Sequence, residues 1–166
     1  MLRRSRTDEL HHGRATNPNR VVVVDDDADA CELVARIVEG AGWTVTRCHS
    51  HNDTVAELGR ANPRYAAVVV GFAGTGNSSS LKLLDTIRHT DEIDDTPVLL
   101  LPRTDTNRMF AWQQGADGFL PRPFHADELV AELHAILGRD PEARAERRRE
   151  QLEGSAEPEP AALPEE

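Results

Sequence analysis

Long apolar runs are missing from this 166-residue chain. No stretch approaches the roughly 20 consecutive apolar residues that a membrane-spanning helix needs. The opening stretch MLRRSRTDELHHGR has no apolar segment behind its arginines, so it does not read as a secretory signal. Cysteine is scarce. Cys31 and Cys48 stand alone without a C-x-x-C spacing, a pattern expected of small buried thiols in a reduced, cytoplasmic protein rather than of a disulfide or metal site. Positive charge is in deficit too: the formal net charge is −10, which argues against binding nucleic acid or an anionic membrane surface. Lys82 is the only lysine, and no function is read from that.

What is present is unevenly distributed. Residues 1–19 are polar, basic and irregular, and are expected to be a disordered lead. Residues 140–166 open with the Ala-, Glu- and Arg-rich DPEARAERRREQLEG, expected to be a solvated charged helix with almost no apolar stripe, and end in the Pro- and Glu-rich SAEPEPAALPEE, expected to be disordered. The Arg147-Arg148-Arg149 cluster reads as a plain solvated face, or else as a contact for an acidic partner. Between the tails, strand and helix patterns alternate. VVVV (21–24), WTVTRC (43–48), YAAVVV (65–70), PVLLL (97–101) and GFL (118–120) read as strands. Between them lie helical patterns, among them one with Leu33, Val34, Ile37 and Val38 on its apolar side, and a weak one over 105–114. A last helix over 125–138 carries Leu129, Leu133 and Ile136. Five strand–helix units imply an α/β domain with a parallel sheet covered on both faces, whose functional groups sit at the carboxyl ends of the strands. Those ends are Asp25, Asp26 and Asp27, then Gly71, Pro102 and Arg122.

The segments VVVVDDDADACELVARIVEGAGW, PRYAAVVVGF, TPVLLLPR and GADGFLPRPF, all within about residues 20–139, resemble the receiver domain of two-component response regulators. The resemblance implies a flavodoxin-like (βα)5 doubly wound sheet of order 2-1-3-4-5. It also implies a phosphorylation pocket: an acidic pair holding Mg²⁺, an aspartate that accepts the phosphoryl group, a Ser or Thr that senses it, and a Lys before Pro. Position by position, Asp25 and Asp26 match the acidic pair, while Gly71 stands at the phospho-acceptor, Pro102 at the hydroxyl and Arg122 at the lysine, followed by the expected Pro123. Phe119 falls at the switch aromatic.

These departures have direct chemical consequences. Gly71 offers no nucleophile and removes a metal ligand, so Asp25 and Asp26 would make a weak or lost Mg²⁺ site. Pro102 supplies neither hydroxyl nor backbone N–H. Arg122 stays charged and forks; it either reaches across to pair with Asp25 or Asp26, or points to solvent. The expected protein is therefore an atypical, stand-alone receiver that is not an enzyme, uses no cofactor and acts by phosphate-independent protein–protein interaction. The resemblance places the partner surface at about residues 104–138, where Met109, Phe110 and Trp112 form core or, if exposed, a patch; a second copy of the chain is a further candidate partner. Two other readings stay open. One is phosphorylation at a non-standard residue. The other is a nucleotide or small-molecule site built on the glycine-rich loop Gly71–Ser78, which has the phosphate-loop spacing with Asn77 where a lysine belongs. The plain reading of GTGNSSS is a loop ending in a serine N-cap. Asp27 is expected to cap its helix and His125 to start the last one.

Overall fold

Val21–Val24 are four β-branched residues with almost no exposed surface, and they form the end of an interior strand of the sheet. The computed structural model describes residues 14–156; the lead before residue 14 and the acidic tail after 156 lie outside the described residues. In chain order the elements are β1 (Thr16–Val24), α1 (Ala28–Gly40), β2 (Thr44–Cys48), α2 (His51–Arg60), β3 (Arg64–Val70) and α3 (Asn77–Arg88). They continue with β4 (Val98–Leu100), α4 (Arg108–Gln114), β5 (Gly118–Phe119), α5 (Ala126–Leu137) and α6 (Pro141–Ala156). The sheet order is β2-β1-β3-β4-β5, and every paired neighbour is parallel.

Side chains alternate across the strands, so one sheet feeds two cores. Val22, Val24, Val68, Val70 and Leu100 meet α2, α3 and α4 on one face. Val21, Val23, Ala67, Val69 and Leu99 meet α1 and α5 on the other. This is the flavodoxin-like doubly wound architecture expected from the sequence.

Three local expectations are corrected. First, β1 starts at Thr16, not Val21: Thr16 and Asn17 pair with Arg64 and Tyr65, and a register irregularity separates them from Val21. Arg14 donates to the carbonyls of Gly59 (2.8 Å) and Ala61 (3.1 Å), so the stretch before Val21 is anchored by backbone pairing rather than irregular. Second, Leu33 is 63% exposed; Cys31 and Ala35 take the core face with Val34 and Val38. Third, α6 is not a free solvated helix. It lies against α4, its Leu152 packs on the core cluster that includes Ala111 and Trp112, and Arg144 and Arg148 reach the buried carboxylate of Asp117. Arg148 is thus internally paired rather than part of a solvated basic cluster. No helix among the described residues is long and apolar enough to cross a membrane.

Candidate functional site

Parallel strands end together, so β1, β3 and β4 and the loop after β5 deliver Asp25, Asp26, Gly71, Pro102 and Arg122 to one edge of the sheet. Gly71 N–H donates to the Val24 carbonyl (2.9 Å), and Leu101 N–H to Val70 (2.9 Å). Across the next step, Arg122 N–H donates to the Pro102 carbonyl (2.9 Å). Pro102, lacking both hydroxyl and N–H, contributes only that carbonyl. Pro123 is exposed. Phe119 is buried, and the guanidinium of Arg108 stacks on its ring, 4.7 Å from the centroid.

Asp25 is the buried member of the acidic pair, 1% exposed. Its Oδ1 accepts from the N–H groups of Asp27 (2.9 Å) and Ala73 (2.8 Å). Its Oδ2 faces the Arg122 Nη2 at 3.4 Å. Of the two sequence readings for Arg122, pairing across the pocket is therefore the one observed, with Asp25 rather than Asp26. Asp26 lies nearer the surface and accepts from Gly74 N–H (3.0 Å). Asp27 caps α1 through Asp29 and Ala30 N–H, and His125 N–H bonds Glu128 at the start of α5 (2.7 Å), both as expected.

Gly71 explains why this arrangement closes. A Cβ built there would lie 2.7 Å from Arg122 Nη2 and closer still to Asp25 Oδ2. The volume a side chain at position 71 would fill is thus occupied by the Asp25–Arg122 pair. Gly71 is not in the left-handed region, so the constraint is space rather than backbone conformation.

Much of the glycine-rich loop is likewise engaged internally. Ala73 and Gly74 donate to the two carboxylates, and Gly76 N–H donates to the Phe72 carbonyl (2.8 Å). A phosphate loop needs those N–H groups free to cradle anions. The expected serine cap is corrected: α3 begins at Asn77, one residue after Gly76, whose φ of 92° suits glycine, and no side chain caps the helix. Ser78, Ser79 and Ser80 lie inside its first turn, where the Ser80 hydroxyl is buried.

The titration behaviour follows the geometry. Burial raises the Asp25 carboxyl above its ordinary value, only partly offset by the Asp27 and Ala73 N–H groups and by Arg122. Burial also pushes Asp26 upward, but the Gly74 N–H and the Thr75 hydroxyl outweigh it and leave Asp26 below its ordinary value. A carboxyl raised in the folded state binds its proton there more readily than in the unfolded chain. Its contribution to stability is thus most favourable below the ordinary value of 3.8 and is lost as pH climbs through the raised value. Asp25→Asn cannot titrate, yet its amide oxygen can still accept from Asp27 and Ala73. Denaturant unfolding across a pH series should therefore show the variant gaining on the natural chain as pH rises from that value; parallel curves would refute it.

The donor set does not fit a divalent cation. Mg²⁺ needs a near-octahedral shell of oxygens, whereas here a guanidinium faces Asp25 and no carboxylate stands at position 71. Among the described residues, no group of three or more His, Cys, Asp or Glu is placed to hold a metal. Met109 and Phe110, 38% and 48% exposed, form part of an outward α4 face, while Trp112 is buried in the core.

A family model described as the response regulator receiver domain matches residues 21–134. The transcriptional regulatory protein TrcR of Mycobacterium tuberculosis is 28% identical over 130 residues, covering 77% of this chain and 49% of that protein. The response regulator MprA of Mycobacterium bovis is 32% identical over 130 residues, covering 76% and 54%. The chain therefore spans about half the length of these curated relatives. Among solved structures, the Francisella response regulator 1452 receiver domain superposes with a TM-score of 0.63 at 23% identity, covering 73% of this chain and 98% of that one. The chemotaxis response regulator CheY4 of Vibrio cholerae superposes at 0.61 and 20% identity, covering 74% and 98%. At such identities the likeness concerns the fold.

Proposed function

This chain belongs to the response regulator receiver domain family, and we propose that it signals without phosphoryl transfer, as a binding module rather than an enzyme. One observation carries the reading: the space where a phospho-acceptor side chain would stand, at Gly71, is filled by Asp25 and Arg122. Phosphoryl transfer to a receiver is chiefly positioning and charge neutralisation around a carboxylate nucleophile. Here the nucleophile is missing, the metal-holding pair is bonded to the loop and to Arg122, and the strand-4 position has no hydroxyl. The pocket is then held in one state, and the signal is carried by what the surface over residues 104–138 binds, with exposed Met109 and Phe110 as anchors. A nucleotide site on Gly71–Ser78 is disfavoured because the Gly71, Ala73, Gly74 and Gly76 N–H groups are already bonded and no lysine stands beside them.

The test is intact-mass measurement after incubation with acetyl phosphate and Mg²⁺. The natural chain should gain no phosphoryl mass. Stoichiometric gain would overturn the proposal and favour phosphorylation at a non-standard residue, which peptide mapping would locate.

A further inference from the structure

Helix α6 is attached by arginine heads rather than by an apolar stripe. Arg144, Ala145, Arg147, Arg148, Gln151 and Leu152 are half-buried, while Glu142, Glu146, Glu150 and Glu153 face water. These positions follow i, i+1, i+3, i+4, i+7 and i+8, one face of a helix. The floor beneath is built around Asp117, 2% exposed. Its Oδ2 accepts from Arg88 Nη2 (2.7 Å) and from Val98 N–H (2.9 Å). Its Oδ1 receives Arg148 Nη1 (2.6 Å) and Arg144 Nε (3.6 Å).

The two oxygens thus have separate duties. Oδ2 ties α3 to β4 within the domain, and Oδ1 serves α6. If α6 leaves, Asp117 keeps its bonds to Arg88 and Val98, so departure does not strand a buried charge without a partner. The contact is also loosely filled: a polar cavity of about 240 Å³ remains between α6 and the floor, lined by Arg88, Asp117, Arg144 and Arg148 among others. A helix held chiefly by arginine side chains and one leucine belongs to the low end of local stability.

We propose that the groove between Asp117 and α4 is a docking site for an arginine-bearing helix, that α6 is its exchangeable occupant in cis, and that a partner helix with Arg at i and i+4 and Leu at i+8 displaces it. The partner step rests on reading residues 104–138 as the binding face. The exchange of α6 does not.

The test uses the full chain carrying R144A and R148A, which removes the Oδ1 contacts and leaves the Arg88 and Val98 bonds intact. Hydrogen exchange over residues 141–154 should speed up by about tenfold or more, while β1 and β3 stay protected. A fluorescent peptide of residues 139–156 should bind this released chain saturably. It should bind the natural chain at least about tenfold more weakly, because the tethered helix competes at an effective concentration of roughly millimolar. The same peptide with both arginines changed to alanine should bind neither. Equal exchange in the two chains, no peptide binding to the released chain, or equal binding to both would each overturn the proposal. None of these readouts involves phosphate, so failure of the phosphate-independent reading in the acetyl phosphate assay would leave them unchanged.

Discussion

Asp117→Ala should lower the unfolding free energy by about 3–5 kcal/mol, the usual consequence of removing one partner from a buried charge cluster. Arg88 is the reason. Its guanidinium is mostly buried, and burial pushes its pKa below the ordinary arginine value while Asp117 pulls the other way. Arg88 also donates to the carbonyls of Thr96 (2.7 Å) and Gly115 (2.7 Å), but these are neutral acceptors and cannot balance its charge. The Val98 N–H at the start of β4 loses its acceptor in the same step, a further penalty for a buried donor. Arg148→Ala should cost much less, about 1 kcal/mol, because that side chain is 26% exposed and its loss leaves Asp117 paired. Urea unfolding of both variants checks the contrast. An Asp117→Ala chain within about 1 kcal/mol of the natural one would sink the account of the cluster.

Gly71→Asp should destabilise the chain by about 1–3 kcal/mol in the absence of metal, for steric and electrostatic reasons together. The new Cβ would lie against Asp25 Oδ2 and within 2.7 Å of Arg122 Nη2. Arg122 is long and can swing outward. Asp25 is short and held by two N–H groups, so moving it breaks a hydrogen bond, and the third carboxylate then repels the first two. Mg²⁺ should partly reverse the loss in the variant, since three carboxylates offer the oxygen ligands that two do not, and a ligand that binds only the folded state stabilises it by mass action. The natural chain should show no Mg²⁺-dependent change in melting temperature. Thermal melts of both chains with and without Mg²⁺ decide the matter: a natural chain stabilised by Mg²⁺ would contradict the closed pocket.

The acidic pair was legible because Asp25 and Asp26 are neighbours in the chain and directly follow an unmistakable buried strand. The lack of a side chain at Gly71 was legible for the same reason, since that residue directly follows the buried run Val68–Val70. The direction of Arg122 was not, because its partner lies 97 residues away and nothing local distinguishes a solvated guanidinium from a paired one. The Asp117 cluster passed unnoticed in the sequence for a related reason. Its four partners sit at positions 88, 98, 144 and 148, and two of them belong to a helix whose apolar content gives no sign of docking. Leu33 shows the limit of periodicity itself: it shares the helical spacing of Val34 and Val38, yet Cys31 and Ala35 suit the tight approach of α1 to the sheet and turn Leu33 outward.

By itself the sequence determined what is covalent or local. Gly71 has no nucleophile and Pro102 has no hydroxyl or N–H in any conformation, and the β-branched, wholly apolar runs Val21–Val24 and Val68–Val70 favour strands buried on both faces. Tertiary structure alone decided which charges meet. The loop N–H groups turned onto Asp25 and Asp26, Arg122 entered the space above Gly71, and Asp117 recruited α6. Each of these pairings joins groups far apart in the chain. Each forms only after the sheet and its helices have come together, and at Asp25 and Asp117 burial strengthens the pairing by excluding water from it.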